Sequence, residues 1–130
     1  MKARTMVGSI VLAALLATPT AAHGIQATLH STATGVDSWN FDQGNTATQF
    51  FKAGVKVKDT AADNHAVYST YTLRDLAVGR TEAEARRNNH GGYGSTATVG
   101  GYTNHKVVKH RGSVDIQLLP DRHGAWRYPS

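Results

Sequence analysis

The sequence predicts an all-β fold, an antiparallel sandwich of about seven short strands, on three observations. Apolar residues recur at every second position in separate stretches, glycines punctuate the chain between them, and no segment carries a helical apolar stripe. In residues 50–58, Phe51, Ala53, Val55 and Val57 alternate with Lys52, Lys56 and Lys58, the period of a strand with one dry and one wet face. In residues 66–73, Val67, Tyr71 and Leu73 share one face while Tyr68, Thr70 and Thr72 share the other, and these residue types favour strands. The seven residues 59–65, rich in Asp, Asn and Ala, connect the two as a loop, so the pair reads as a hairpin.

Further along, Val114, Ile116 and Leu118 alternate with Ser113, Asp115 and Gln117 and end before Pro120. Weaker strands are expected at 95–99, 105–109 and 27–31, with turns at Gly91, Gly92, Gly94, Gly100, Gly101 and Gly112. Short strands at such spacing predict an immunoglobulin-like arrangement of two antiparallel layers. The single helical signal is the capping box Thr81 to Glu84, followed by Arg86 and Arg87. Lacking an apolar stripe, it supports one turn at most.

The N-terminus carries an address. Lys2 and Arg4 precede an apolar run over residues 6–17, then Pro19 and the small residues Thr20, Ala21 and Ala22, the pattern of a secretory signal peptide over 1–22. The run is shorter than the roughly 20 residues a membrane-spanning helix needs, so export without membrane insertion is expected. Residues 23–48 read as an extended N-terminal segment, and 49–130 as the sandwich with an aromatic C-terminal tail. Loss of Lys2 and Arg4 lowers the formal charge from +5 to +3, a mild balance that lacks the clustered bases of a nucleic-acid protein.

The chain has no cysteine, which excludes disulfides, catalytic thiols and Cys-type zinc sites, and it has no N-glycosylation triplet. The glycine-rich stretch 91–101 is not a phosphate cradle, because no Gly-Lys-Ser/Thr opens a helix there. No nucleophile elbow and no carboxylate pair beside an aromatic cleft is evident. The sequence therefore assigns no catalytic residue, no resident metal and no cofactor. One conditional metal reading exists: cleavage after Ala22 would leave His23 at the N-terminus, where its amine and ring could bind copper with one of His30, His65, His90, His105, His110 or His123.

The aromatic residues suggest partners instead. Trp39 and Phe41 lie in a polar stretch ahead of the first clear strand, and Trp126, Arg127 and Tyr128 lie in the tail. Trp, Tyr and Arg dominate contact energy at protein interfaces because they bury much area for little rotamer loss, so these five are the candidate partner-binding residues.

The run Val57-Lys58-Asp59, then Ala62-Asp63-Asn64-His65-Ala66-Val67-Tyr68 and Tyr71, then Asn89 and residues 91–96, resembles small secreted actinobacterial β-sandwich proteins. Their V-x-D-x-x-A-D-G-x-x-V-Y hairpin precedes an N-x-x-G-x-G-S/T turn. The likeness spans residues 55–118; Asn64 stands where glycine is common, and the cysteine-bearing last strand of many such proteins is missing. Some proteins of this kind are adaptor subunits of umbrella-like secreted toxin particles. The resemblance thus implies a non-enzymatic exported adaptor in a hetero-oligomer, joining a protease-like or lectin-like hub to a repeat-containing toxin subunit. Inhibition of an extracellular protease or glycosidase, by the 59–65 loop or the tail, is the alternative.

Overall fold

A computed structural model describes residues 25–44 and 51–130, an all-β molecule with no helix among the described residues. Among the described residues nine strands form: β1 (His30–Ala33), β2 (Val36–Asp42), β3 (Lys52–Asp59), β4 (Ala66–Asp75), β5 (Arg80–Thr81), β6 (Ala85–Asn89), β7 (Thr96–Thr103), β8 (His105–Asp115) and β9 (Arg122–His123). One layer runs β1-β2-β3-β7 and the other β6-β4-β8-β9, with β5 on the far end of β4. A single parallel pairing, Lys52 with His105, joins the layers into one curled sheet.

The alternation in β3 predicts its buried face: Ala53, Val55 and Val57 point inward and Lys52, Lys56 and Lys58 outward. Apolar side chains then meet in two clusters. Val36, Val57, Val67 and Val114 form one, and Ala53, Val55, Leu73 and Val107 form the other. Between them lies a polar layer in which the Ser38 and Ser69 hydroxyls are 2.9 Å apart, and the Ser38 hydroxyl is 3.1 Å from His110 Nδ1. His110 Nε2 donates to the Leu29 carbonyl at 3.1 Å, so the buried ring is satisfied at both nitrogens.

Strands β3 and β4 do not pair with each other, which corrects the hairpin expected from the sequence. Each carries an apolar face, and those faces are buried against one another, Val57 opposite Val67, so the strands lie in opposite layers. The 59–65 loop is accordingly an arch between layers. The Asp59 N–H donates to the Ser95 carbonyl (3.1 Å), the Thr60 N–H to the Gly35 carbonyl (3.0 Å), and Asn64 takes the left-handed conformation at φ 62° in place of the usual glycine.

Four further differences have physical reasons. The segment before residue 49 supplies β1 and β2; β2 was hidden because it buries Ser38 and Asn40 and turns Trp39 and Phe41 outward, inverting the usual pattern. The strand expected at 105–109 and the first half of the one expected at 113–118 are the single strand β8, which stops at Asp115 so that Ile116 to Leu118 enter a turn; Gly112 lies inside β8 because a Cβ there would press on the Ser31 carbonyl at 2.9 Å. The capping-box stretch forms no helical turn: the Glu82 N–H donates to the Leu73 carbonyl at 2.9 Å, extending the β4–β5 pairing. Finally β6, Ala-Arg-Arg-Asn-Asn, has no apolar alternation because it is an exposed edge strand, protected by its charges.

The C-terminal segment seals the gap between β1 and β8. β9 pairs with Ser113 and Val114, and Arg127 forms an isolated bridge with His110. The Ser31 hydroxyl donates to the Ala125 carbonyl at 2.5 Å and Arg127 Nε to the His30 carbonyl at 2.6 Å. On the far side the Tyr68 hydroxyl donates to Asp121 at 2.5 Å, while Asp121 also accepts the Ile116 N–H at 3.2 Å. Tyr68→Phe removes the donor from a buried position, and a loss of about 1–2 kcal/mol is expected in urea unfolding. Unchanged stability would show that the tail is held by its backbone pairing alone.

Candidate functional site

The poles of a sandwich collect its loops, and one pole here carries a cleft of about 550 Å³. The arch between β3 and β4 contributes Asp59, Asn64 and His65, the β6–β7 loop contributes His90 and Tyr93, and the end of β8 contributes Asp115 and Gln117. Its walls are rigid. Asp59 Oδ1 accepts the Ala61 N–H at 3.1 Å, Asp63 Oδ1 accepts the His65 N–H at 3.1 Å, and buried Asn89 holds the β6–β7 loop through the Gly91 N–H, the Ser95 hydroxyl and the Ser95 carbonyl at 2.9–3.0 Å.

Beside this cleft the chain makes an exposed turn. From Gln117 on the wall it passes into Leu118, which is fully exposed and sits at φ 64°, then Leu119, also exposed, then Pro120. The Ile116 N–H is tied to Asp121, and the Leu119 N–H lies 3.4 Å from the Ile116 carbonyl. A left-handed, non-glycine residue holding its side chain wholly in water is strained backbone presenting apolar surface. Exposed Tyr93 stands on the same pole.

The five aromatic and basic residues singled out from the sequence do not gather into one site. Trp39 and Phe41 lie on β2, on the outer face of the first layer, rather than outside the strands. Trp39 stacks on His30 with ring centroids 5.5 Å apart, and His30 Nδ1 in turn bonds Asp37 at 2.8 Å. Phe41 is paired with Gly54 across the sheet and lies under Lys56, 5.4 Å from its ammonium. Trp126 is half-buried beneath Lys109 and Arg111, at 4.4 and 4.6 Å from the ring centroid. Arg127 and Tyr128 are exposed, Tyr128 at 64%. Four of the five therefore have partners within the domain, Arg127 through the His30 carbonyl and its bridge to His110, and the exposed pair Arg127 and Tyr128 lies along the tail.

Two Ser–His contacts invite a catalytic reading that their burial denies. Ser38 and His110 are both 0% exposed, and Ser113, whose hydroxyl is hydrogen-bonded to His123 Nδ1 at 2.6 Å, is likewise fully buried, so neither hydroxyl can meet a substrate. Ser113 belongs instead to the tail clamp with Tyr68 and Asp121. Burial is the main cause that raises the Tyr68 pKa, and the Tyr68 hydrogen bond is the main cause that lowers that of Asp121.

A third group lies at the opposite pole, where β4 ends and β8 begins: Asp75, Glu82 and His105, whose ligand atoms all fall within 4.8 Å of one another. Sequence reasoning missed it because the three are dispersed over 31 positions and converge only through the β4–β8 register. The missed Leu118 did carry a signal, an apolar residue just before Pro120, but it read as the end of a strand. His23 lies outside the described residues. No helix among the described residues is long and apolar enough to cross a membrane. In comparisons with known proteins, no family model, no curated protein and no solved structure matches this chain.

Proposed function

We propose that the chain is a non-enzymatic binding protein that docks exported protein partners through the loop pole, the turn Leu118–Leu119 entering an apolar pocket on the partner. The observation that carries this reading is Leu118, fully exposed and held at φ 64° on a turn anchored by Asp121. Exposed apolar groups on a rigid turn lose little freedom on binding, which is what makes such residues effective anchors. Arg127 and Tyr128 on the tail form a second exposed surface, and two separated surfaces are what an adaptor requires. The signal-peptide pattern and the resemblance to toxin-particle adaptors support partners among exported proteins, a hub and a toxin-bearing subunit.

The test is capture of partners from the culture medium of the producing cell by tagged full-length chain, repeated with Leu118→Asp/Leu119→Asp and with Arg127→Ala/Tyr128→Ala. The leucine double variant is expected to weaken one partner at least ~30-fold, as loss of a central anchor does, with thermal stability unchanged because both side chains are already in water. The tail variant is expected to affect a different partner. Retention of every partner by the leucine variant would overturn the docking role of this pole.

A further inference from the structure

We propose that Asp75, Glu82 and His105 form a site for a first-row divalent cation of the zinc type, independent of the docking pole. The trio sits at the other end of the sandwich, where β4, the segment after β5 and β8 meet.

The donor set is one imidazole and two carboxylates, which suits zinc and its neighbours. Zinc bonds of about 2.1 Å in a tetrahedron place neighbouring ligand atoms roughly 3.4 Å apart. His105 Nε2 lies 3.3 Å from Glu82 Oε2 and 3.9 Å from Asp75 Oδ2, and all three ligand atoms fall within 4.8 Å of one another, so side-chain shifts of under about 1 Å suffice to close on an ion. Three protein ligands would leave a fourth position to water.

Groups outside the trio prepare each ligand. His105 Nδ1 donates to the Thr103 carbonyl at 2.9 Å, which fixes the tautomer that turns the Nε2 lone pair toward the two carboxylates. Asp75 Oδ1 accepts the Ala77 N–H at 2.9 Å, leaving Oδ2 on the His105 side. Asp75 and His105 face each other in the β4–β8 register, the Leu76 N–H donates to the Asn104 carbonyl at 2.8 Å, and the Glu82 N–H is tied to Leu73. The ligands therefore stand on paired backbone rather than on free loops.

Charge points the same way. Among the described residues, neither carboxylate lies within 4.0 Å of a lysine or arginine nitrogen; each has His105 alone. The nearby Arg74 is turned to Thr81 Oγ1 (2.9 Å) and to the Gly79 carbonyl (3.0 Å). Two carboxylates sharing one imidazole leave a net negative charge that a divalent cation neutralises. Bound there, the ion would pin the 76–85 crossover to the start of β8.

The test is calorimetric titration of the full-length chain with zinc chloride, with calcium and magnesium chloride as controls. One zinc per chain in the micromolar range or tighter is expected at this site, with calcium and magnesium giving none. Glu82→Gln is near-isosteric on a partly exposed residue and should fold normally; it and His105→Gln are each expected to weaken that event at least 10-fold. Zinc should also move the His105 Nε2 nitrogen resonance while Nδ1 keeps its proton. Absence of zinc binding, or a zinc event that both variants leave unchanged, would overturn the proposal.

Discussion

Replacing Gly54 by alanine is expected to cost about 3 kcal/mol of folding stability. A Cβ at Gly54 would enter the envelope of the Val99 carbonyl oxygen, lie 2.6 Å from Phe41 Cζ and 2.8 Å from the Gly101 nitrogen. Two of those three neighbours are backbone of β7, so relief requires the β3–β7 pairing to open. The register already shifts there, between Ala53 and Gly54, and Gly100 opposite adopts φ 98°. Phe41 covers the bare backbone that the two glycines leave, which accounts for one of the aromatics offered by the sequence as a partner contact. The control is Gly92→Ala: at φ 88° with nothing within 4 Å, it should lose only the roughly 1–2 kcal/mol of a left-handed alanine. Equal losses at the two sites in chemical denaturation would show that β3 and β7 are not in such close approach.

Acidification from pH 6.5 to 4 is expected to remove about 3 kcal/mol of stability through His110 alone. Burial lowers its pKa from 6.5 to about 4, and the ring is 0% exposed. In the unfolded chain the same side chain protonates at its ordinary pKa, so between those values the unfolded state holds more protons and stability falls as the pH falls. Above pH 6.5 both states are neutral and the effect vanishes; below pH 4 both are charged and the loss levels off. The separation of the two pKa values, at about 1.4 kcal/mol each, sets the size. Asp121 acts in a lower window, because its folded pKa lies below the ordinary carboxylate value and its contribution disappears only as the pH falls through that lowered value. His110→Gln should flatten the profile between pH 6.5 and 4. Observation by NMR of a His110 ring titrating near 6.5 in the folded protein would refute the assignment.

Legibility differed by element, for physical reasons. β3 could be read because it buries one face against apolar neighbours, and burial of alternate residues is written into the sequence as a period of two, whereas β4, buried on both parities, was legible through its β-branched and aromatic residue types. β2 could not, since its inward residues Ser38 and Asn40 are polar and are satisfied by His110, Ser69, Leu29 and Ala27, partners distant in the chain. β6 could not, since an edge strand needs no apolar face. Nothing local predicts that Lys109 and Arg111 lie over the ring of Trp126, one of the candidate partner contacts, because those residues approach it from β8. The trio of Asp75, Glu82 and His105 left no local spacing to find.

The sequence by itself determined that this chain would be built of strands, and which face of β3 would be dry, because side-chain alternation is a property of extended backbone geometry and is repeated locally. It also marked the turns at Asp63–Asn64 and Gly91–Gly94, where Asp, Asn and Gly satisfy or permit particular backbone conformations, whereas Gly100, Gly101 and Gly112 lie inside strands. Only the tertiary structure decided that β3 and β4 lie in opposite layers, that Ser38 meets His110 across 72 positions of chain, and that two carboxylates and an imidazole converge at one pole. Those outcomes depend on which strand edges pair and in what register, and many registers are compatible with the same alternation. The choice among them is made by the summed packing of the valine clusters and by hydrogen bonds to buried polar groups such as Ser38, Asn40 and His110, which no single stretch of sequence contains.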